Sequence, residues 1–233
     1  LVLVALFGGA VFAAGWWLAA VVWAWLRLGP GHRHWLRLGP AFVAAALLPV
    51  YLLTMSAAVG AADTFEFQVV APQLGIAHPT GYPLYLLLGK FFSLLPVSTV
   101  AWRLNFASAV YATLAAIVVF RLAHDLLGRP LPALAGAVAL GLTPVVWSQA
   151  IVAEVYTLHA LLVAAALGLM LRLVTERRAR STDRRKTVVA LAFTIGLGLT
   201  NHLTSVFLLP PAALAVALRL LRDRGERQRD LSV

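Results

Sequence analysis

Apolar runs long enough to cross a membrane alternate with short polar segments along most of the chain. Five such runs, none containing Asp, Glu, Lys or Arg, cover residues 1–26, 41–62, 104–120, 131–148 and 155–171. About 20 apolar residues in a helix span the hydrocarbon core of a bilayer. Membrane strands would alternate apolar and polar residues, whereas these runs are continuous in Leu, Ala and Val. The pattern predicts an all-α, polytopic helical membrane protein.

Two further segments differ from these runs in length. Residues 187–218 form a run of 32 residues without a charge, and a single helix of that length would be about 48 Å long, too long for one crossing. We therefore expect a hairpin with its tip at Asn201 and His202. Residues 83–97 have Lys90 at their centre, and a charged span of about 15 residues would be costly. We expect an interfacial or re-entrant helix there.

These elements divide the chain into three parts. Residues 1–39 would hold an additional first span and a basic loop with Arg27, Arg33 and Arg37; the span has no basic segment before it, unlike a signal peptide. Residues 40–221 would form the membrane module, with an outer loop and interfacial helix at 62–103. Residues 222–233 would be a basic tail. The prediction amounts to about six spans and one interfacial helix.

The charges orient these spans. The chain has 19 Lys and Arg, nine Asp and Glu, and no Cys, which excludes disulfides and thiolate metal sites. All basic residues except Lys90 and Arg103 fall on one side of the predicted topology, which the positive-inside rule assigns to the cytoplasm. The net charge of +10 then reflects topology and lipid anchoring, and we expect no nucleic-acid partner. The other polar candidates fall on the outer face: Asp63, Glu66, His78, Glu154, Asn201 and His202.

Two acidic residues, Asp63 and Glu66, lie three positions apart at the end of an apolar run. At this spacing they share a helix face, where a carboxylate can take the proton of a hydroxyl nucleophile while its neighbour orients the acceptor. The alternative is structural, since Asp at an N-cap with Glu three positions later forms a capping box. Asp63 and Glu66 are our candidate catalytic residues, and the cap is the open alternative.

The turn HPTGYP, residues 78–83, contains two prolines and a glycine that exclude a regular helix. His78 and Tyr82 of this turn are candidate substrate-binding residues, although a single histidine is often structural. Lys90 and Arg103, the two outer cations, suit a phosphate at the membrane surface. Their alternative is snorkelling toward lipid headgroups.

Three more polar residues lie near the ends of apolar runs. Glu154 follows the run 131–148 without an adjacent basic partner, and an ionisable residue at membrane depth is a functional candidate. Asn201 and His202 either bind substrate or satisfy the backbone at the hairpin tip. We expect no metal ligand among the candidates, although a divalent metal is not excluded.

Six motifs follow one another along the chain. They are DTFEF at 63–67, LGIAHPTGYPLY at 74–85, LLGKFFSLLP at 87–96, RLNFASAV at 103–110, EVYTL at 154–158 and NHLT at 201–204. In this order they resemble the DUF2723 family of membrane proteins, which are similar to protein O-mannosyltransferases of the GT-C glycosyltransferase class. The resemblance covers about residues 41–221, with Thr80 standing where the family's turn usually has a second proline and DTFEF where it usually has DSGEF.

The resemblance implies an activity and a set of partners. Asp63 matches the loop aspartate that acts as catalytic base, and the donor would be a polyprenyl-phosphate sugar, without any cofactor. A hexose, which we expect to be mannose, would pass to a hydroxyl of a protein or glycan acceptor on the outer face. Arg103, together with Lys90 or His78, would neutralise the phosphate. We expect a prokaryotic cytoplasmic membrane.

Two other classes of protein remain open. In a transporter or lipid-binding protein without catalysis, Glu154, Asp63 and His202 would line a polar pathway. A degenerate homologue would bind the lipid donor without turning it over. Acids clustered at one rim favour surface chemistry, whereas charges midway along spans would favour transport.

The predicted topology can be tested by cysteine labelling, because the chain has no Cys of its own. A cysteine replacing Thr80 should react with an impermeant thiol reagent in intact cells, since it lies on the outer face. A cysteine replacing Ser181 should react only after the membrane is permeabilised. The opposite labelling pattern would show that the topology is inverted.

Overall fold

A computed structural model of the protein describes Trp23, Arg27 and residues 32–175 and 181–231. Within these ranges the regular structure is helical and contains no strand, which confirms the all-α prediction. The predicted span at 1–26 lies outside the described residues, apart from Trp23. The described helices are α1 His32–Thr54, α2 Ala62–Gln73, α3 Pro83–Ser93, α4 Val100–Leu127, α5 Pro130–Gly141, α6 Pro144–Ala150, α7 Tyr156–Thr175, α8 Ser181–Asn201, a 3₁₀ helix Leu203–Leu208 and α9 Leu209–Leu231.

Four segments of the described chain are long and apolar enough to cross a membrane. They are His34–Thr54 of α1, Val100–Leu127, Tyr156–Thr175, and Leu203–Asp223, which joins the 3₁₀ helix to α9. A fifth crossing results if α5 and α6, which are bent by 64° at a short break, count as one span. The protein is therefore an integral membrane protein of helical type.

The predicted span at 131–148 is not one straight helix. Pro144 lacks a backbone N–H, so the helix cannot continue through it, and Thr143 begins a new helix by accepting a hydrogen bond from the Val146 N–H. The bend therefore follows from a Thr-Pro pair inside an otherwise continuous apolar run.

The bounds 41–62 predicted for the second span of the chain are wrong. Helix α1 begins at His32 and ends at Thr54, so Arg33 and Arg37 lie within a helix rather than in a loop. Every fourth residue of α1 is buried in a single stripe, and this packing offsets the cost of Pro40 and Pro49 inside the helix. The stripe comprises Trp35, Gly39, Val43, Leu47 and Tyr51.

The two segments of unusual length are described in full. Helix α3 has 11 residues and is not among the helices long enough to span; its interfacial position stays a prediction. The long uncharged run breaks at His202, between α8 and the 3₁₀ helix, so the hairpin tip is confirmed. At the other end of the hairpin, Arg184 of α8 pairs with Asp223 of α9.

Helices α1, α4 and α5 approach closely because small residues line their contacts. Ala109, Ala112, Ala116, Ala133 and Ala137 are buried in the same core as the α1 stripe, and small residues are what allow membrane helices to pack at short range. The Tyr51 hydroxyl donates a 2.8 Å hydrogen bond to the Gly141 carbonyl and joins α1 to the end of α5. A Cβ at Gly39 would overlap the Phe120 ring, which is itself fully buried.

From the contact between Gly39 and Phe120 we predict opposite effects on stability for alanine at two glycines. Gly39→Ala should lower the thermal unfolding midpoint in detergent, because overpacking a core costs about 1–3 kcal/mol. Gly136→Ala should leave the midpoint unchanged or raise it, since a Cβ there meets no atom within 4 Å and Ala is about 1 kcal/mol better than Gly in a helix. Equal midpoints for the two variants would show that the close approach of α1 and α4 is absent.

Candidate functional site

Three acidic residues from two separate segments converge on His78. Asp63 and Glu66 lie on α2, and Glu154 lies in the loop between α6 and α7. Ligand atoms of Asp63, Glu66 and His78 lie within 4.8 Å of one another. Oε1 of Glu154 accepts a 3.2 Å hydrogen bond from the hydroxyl of Thr64, the residue next to Asp63. We call Asp63, Glu66, Glu154 and His78 the acid cluster.

Glu66 is bound to His78 through both of its carboxylate oxygens. Oε1 accepts the His78 backbone N–H at 2.7 Å, and Oε2 lies 2.6 Å from His78 Nδ1. The side-chain hydrogen bond from His78 lowers the pKa of Glu66, and the same bond raises the pKa of His78. Glu66 therefore fixes the HPTGYP turn and its histidine, and its lowered pKa makes the carboxylate a weaker proton acceptor than a free glutamate.

Asp63 is exposed and lies in the first turn of α2, but it does not cap the helix. The N-cap is Ala61, and no side-chain hydrogen bond caps this end, so the capping-box interpretation is wrong. Within the described part of the chain the Asp63 carboxylate has no hydrogen-bond partner. A negative charge in a first helical turn is favoured by the helix dipole. Asp63 thus presents a free carboxylate beside the Glu66–His78 pair.

Glu154 is held in a more buried position. Its backbone N–H donates to Ser108 Oγ at 3.3 Å, which fixes the loop against α4. Burial raises the pKa of the Glu154 carboxyl, and the nearby Asp63 charge raises it further, while the hydrogen bond from Thr64 lowers it. Glu154 therefore holds a proton more readily than an exposed glutamate does.

Tyr82 lies between the acid cluster and the hairpin tip. Its hydroxyl lies 3.2 Å from His78 Nε2, and its ring centroid lies 6.4 Å from that of His202. The residue adopts a left-handed backbone conformation where α3 begins, with φ of 47°. Phe67 packs edge-on against the Tyr82 ring at 5.4 Å and holds it in place. Tyr82 therefore lies between His78 of the acid cluster and His202 of the hairpin tip.

The two predicted outer cations are engaged by backbone carbonyls. Lys90 Nζ donates to the Pro72 carbonyl at 2.5 Å, near the end of α2. Nη1 of Arg103 donates to the carbonyls of Ser93 and Leu95, where α3 ends, and Nε donates to Thr99. None of these bonds reaches the acid cluster. Both side chains thus close helix ends, and phosphate binding by either remains a prediction without geometric support.

Asn201 and His202 have different environments at the hairpin tip. Asn201 is fully buried, and its Nδ2 donates to the Val155 carbonyl at 3.2 Å, tying α8 to the segment that follows Glu154. This bond holds the tip in place, and substrate binding by Asn201 stays a prediction. His202 is partly exposed, and its ring lies near the rings of Tyr82, Tyr156 and His159.

Several residues around the site were not among the sequence candidates. Gln68 Nε2 donates to Asn105 Oδ1 at 2.9 Å and joins α2 to α4; Asn105 had appeared within the RLNFASAV motif. His159 contacts His202, and an ionisable residue inside an apolar run is itself a functional signal. Thr64 had no signal in the sequence, because its bond to Glu154 joins residues 90 positions apart.

The acid cluster also has the spacing of a cation site. Asp63, Glu66 and His78 each offer a ligand atom at the distance a single ion requires. Carboxylate and imidazole groups together suit Zn²⁺ and similar divalent metals. An ion bound to Nδ1 of His78 would replace the Glu66–His78 hydrogen bond. The expectation of no metal ligand stays untested.

The Glu66–His78 pair should make stability depend on pH in a defined window. Because the pKa of Glu66 is lowered, the pair stabilises the fold at pH values above the ordinary Glu pKa, and this stability is lost as pH falls. Because the pKa of His78 is raised, the pair also stabilises the fold below the ordinary His pKa, and this stability is lost as pH rises through the folded-state pKa. Glu66→Gln should therefore lower the unfolding midpoint most between about pH 4.5 and 6.5. The difference from the parent protein should shrink at pH 9. A difference of equal size at pH 6 and pH 9 would show that the pair is not ionic.

Comparison with known proteins places the chain in a family. The model for the Protein O-mannosyl-transferase TMEM260 N-terminal domain matches residues 63–224. The Protein O-mannosyl-transferase TMEM260 of Mus musculus is 30% identical over 197 residues, 84% of this chain and 28% of the relative. The protein of the same name from Dictyostelium discoideum is 31% identical over 175 residues, 70% of this chain and 21% of the relative. The chain thus spans less than a third of the length of either relative.

No solved structure matches the chain. Both relatives are eukaryotic, so the expected prokaryotic membrane has no support. The resemblance to protein O-mannosyltransferases is confirmed, since the family model covers more than half of the chain and includes the acid cluster and the hairpin tip. The chain therefore belongs to the TMEM260 N-terminal domain family.

Proposed function

We propose that the protein is a membrane glycosyltransferase that transfers mannose from a polyprenyl-phosphate donor to a hydroxyl acceptor on the non-cytoplasmic face. The observation that carries the proposal is the free carboxylate of Asp63 beside a fixed Glu66–His78 pair and a more buried Glu154. The names of the two relatives support the transferred sugar and the protein acceptor. No cofactor is assigned.

Asp63 acts as the general base. The acceptor oxygen attacks the anomeric carbon of the sugar, its proton passes to the Asp63 carboxylate, and the bond from that carbon to the phosphate oxygen breaks. Polyprenyl phosphate leaves with the electron pair, and a single displacement from the opposite face inverts the anomeric configuration. A positioned base contributes about a hundredfold to ten-thousandfold to such a reaction.

The other acidic residues position the reactants. Glu66 holds His78 and the HPTGYP turn against α2, so these residues keep a fixed position beside Asp63. Glu154, fixed by its bonds to Thr64 and Ser108, can form a hydrogen bond with a sugar hydroxyl.

Surface chemistry accounts for the acid cluster better than transport does. Asp63 lies in the first turn of α2 and Glu154 in a loop, so neither lies midway along a candidate span. A transport pathway would instead place ionisable residues at the centre of the membrane.

Asp63→Asn separates the base from any structural role. Because the carboxylate has no hydrogen-bond partner in the described chain, the variant should keep the parental unfolding midpoint. Transfer of mannose from labelled polyprenyl-phosphate mannose should fall by about a hundredfold or more. Asp183, in the first turn of α8, offers the matched control, and Asp183→Asn should transfer at the parental rate. Parental activity in Asp63→Asn would remove Asp63 as the base.

A further inference from the structure

Two histidines at the hairpin tip form a second polar group, separate from the acid cluster. His159 lies on α7 and His202 precedes the 3₁₀ helix, with ring centroids 5.0 Å apart and an interplanar angle of 40°. Thr204 Oγ1 lies between the rings, 2.7 Å from His202 Nδ1 and 3.1 Å from His159 Nε2. Ser205 Oγ lies 3.3 Å from His159 Nδ1. We call His159, His202, Thr204 and Ser205 the imidazole relay.

The hydrogen bonds of the imidazole relay have a definite direction. A backbone N–H can only donate, and that of Thr204 points to His202 Nδ1 at 3.4 Å, so this nitrogen is an acceptor. The Thr204 hydroxyl therefore donates to His202 and accepts from His159 Nε2. His159 Nδ1 in turn accepts from the buried Ser205 hydroxyl. The proton of neutral His202 then lies on Nε2, which is left as a donor for a ligand.

The relay lies at one end of a candidate membrane span, and the ends of spans lie near lipid headgroups. Immediately after His202, a segment begins that is long and apolar enough to span. Its first residues include Leu203, 60% exposed, and Phe207, 75% exposed. A hydrogen-bond donor next to exposed apolar side chains matches a ligand with a polar head and a hydrocarbon tail.

An anion fits the relay and not the acid cluster. Three carboxylates surround His78 and would repel a phosphate at that end. Tyr82 separates the two groups, since its hydroxyl contacts His78 and its ring faces His202. A phosphate at His202 would therefore leave a sugar to extend over Tyr82 toward Asp63.

We propose that His202 Nε2, oriented by the hydrogen-bond chain through Thr204 and His159, binds the phosphate of the polyprenyl-phosphate donor. This inference rests on the proposed function and assigns the phosphate to the hairpin tip instead of Arg103. When the bond to the sugar breaks, the phosphate gains negative charge. A donor already aimed at it becomes stronger in the transition state, which helps the leaving group depart. Thr204 and His159 are positioning residues.

Binding of polyprenyl phosphate without a sugar tests the phosphate site apart from catalysis. We would measure it with purified protein in nanodiscs, with polyprenol and inorganic phosphate as separate ligands. His202→Phe keeps a ring but removes the donor, and should weaken polyprenyl-phosphate binding about tenfold or more, the usual effect of losing a hydrogen bond to a charged group. Polyprenol binding should be unchanged.

Variants of Thr204 test the relay itself. Thr204→Val removes the hydroxyl at constant size and should weaken binding, whereas Thr204→Ser should restore it. Thr194→Val is the matched control, because the Thr194 hydroxyl bonds to the Ala190 carbonyl of its own helix. Arg103→Ala should leave phosphate binding at the parental level in preparations that remain folded.

The outcomes separate this inference from the proposed function. Parental binding in both His202→Phe and Thr204→Val, or loss of binding in Arg103→Ala alone, would overturn the phosphate site even if the protein transfers sugar. Binding that depends on His202 without sugar transfer would support the phosphate site and contradict the proposed reaction. Inorganic phosphate binding as tightly as polyprenyl phosphate would overturn the assignment to a lipid.

Discussion

A polar group without a partner is expensive at membrane depth, and the polar side chains of this protein are arranged under that constraint. Among the described residues several bind backbone carbonyls: Arg103 and Lys90 where α3 and α2 end, and Asn201 at Val155, just before α7. Asp63 is different, since its carboxylate has no partner among the described residues. Side chains that satisfy the backbone build the scaffold, whereas the exposed carboxylate of Asp63 is accessible to a ligand.

The proposed chemistry follows from where these free atoms lie. The acid cluster holds one exposed carboxylate beside a Glu66–His78 pair that fixes the turn around it. On the other side of Tyr82, His202 has an Nε2 donor whose direction is set by Thr204. In the proposed arrangement the phosphate of the donor lies at His202 and the reactive sugar carbon lies on the Asp63 side of Tyr82. The fixed geometry means that little reorganisation is needed when charge moves from the sugar to the phosphate.

The sequence predicted the spans well where apolar runs are long and bounded by charge, as at 104–120 and 155–171. It failed at α1, because Arg33 and Arg37 suggested a loop while tertiary packing of Trp35 and Val43 extended the helix past them. Charge alone also pointed to Arg103 as a phosphate partner. Hydropathy does not reveal that three backbone carbonyls lie within reach of that guanidinium. His159 was missed because a single histidine barely alters the hydropathy of its apolar run.

The central claim is that the sugar comes from a lipid phosphate. The most direct measurement follows both products after purified protein in nanodiscs is given polyprenyl-phosphate mannose, labelled in the sugar, and a Ser/Thr-containing acceptor peptide. The account predicts that label enters the peptide, with inverted anomeric configuration, in equal amount to the polyprenyl phosphate released. Label that reaches the peptide from a nucleotide sugar but not from the lipid donor would contradict it.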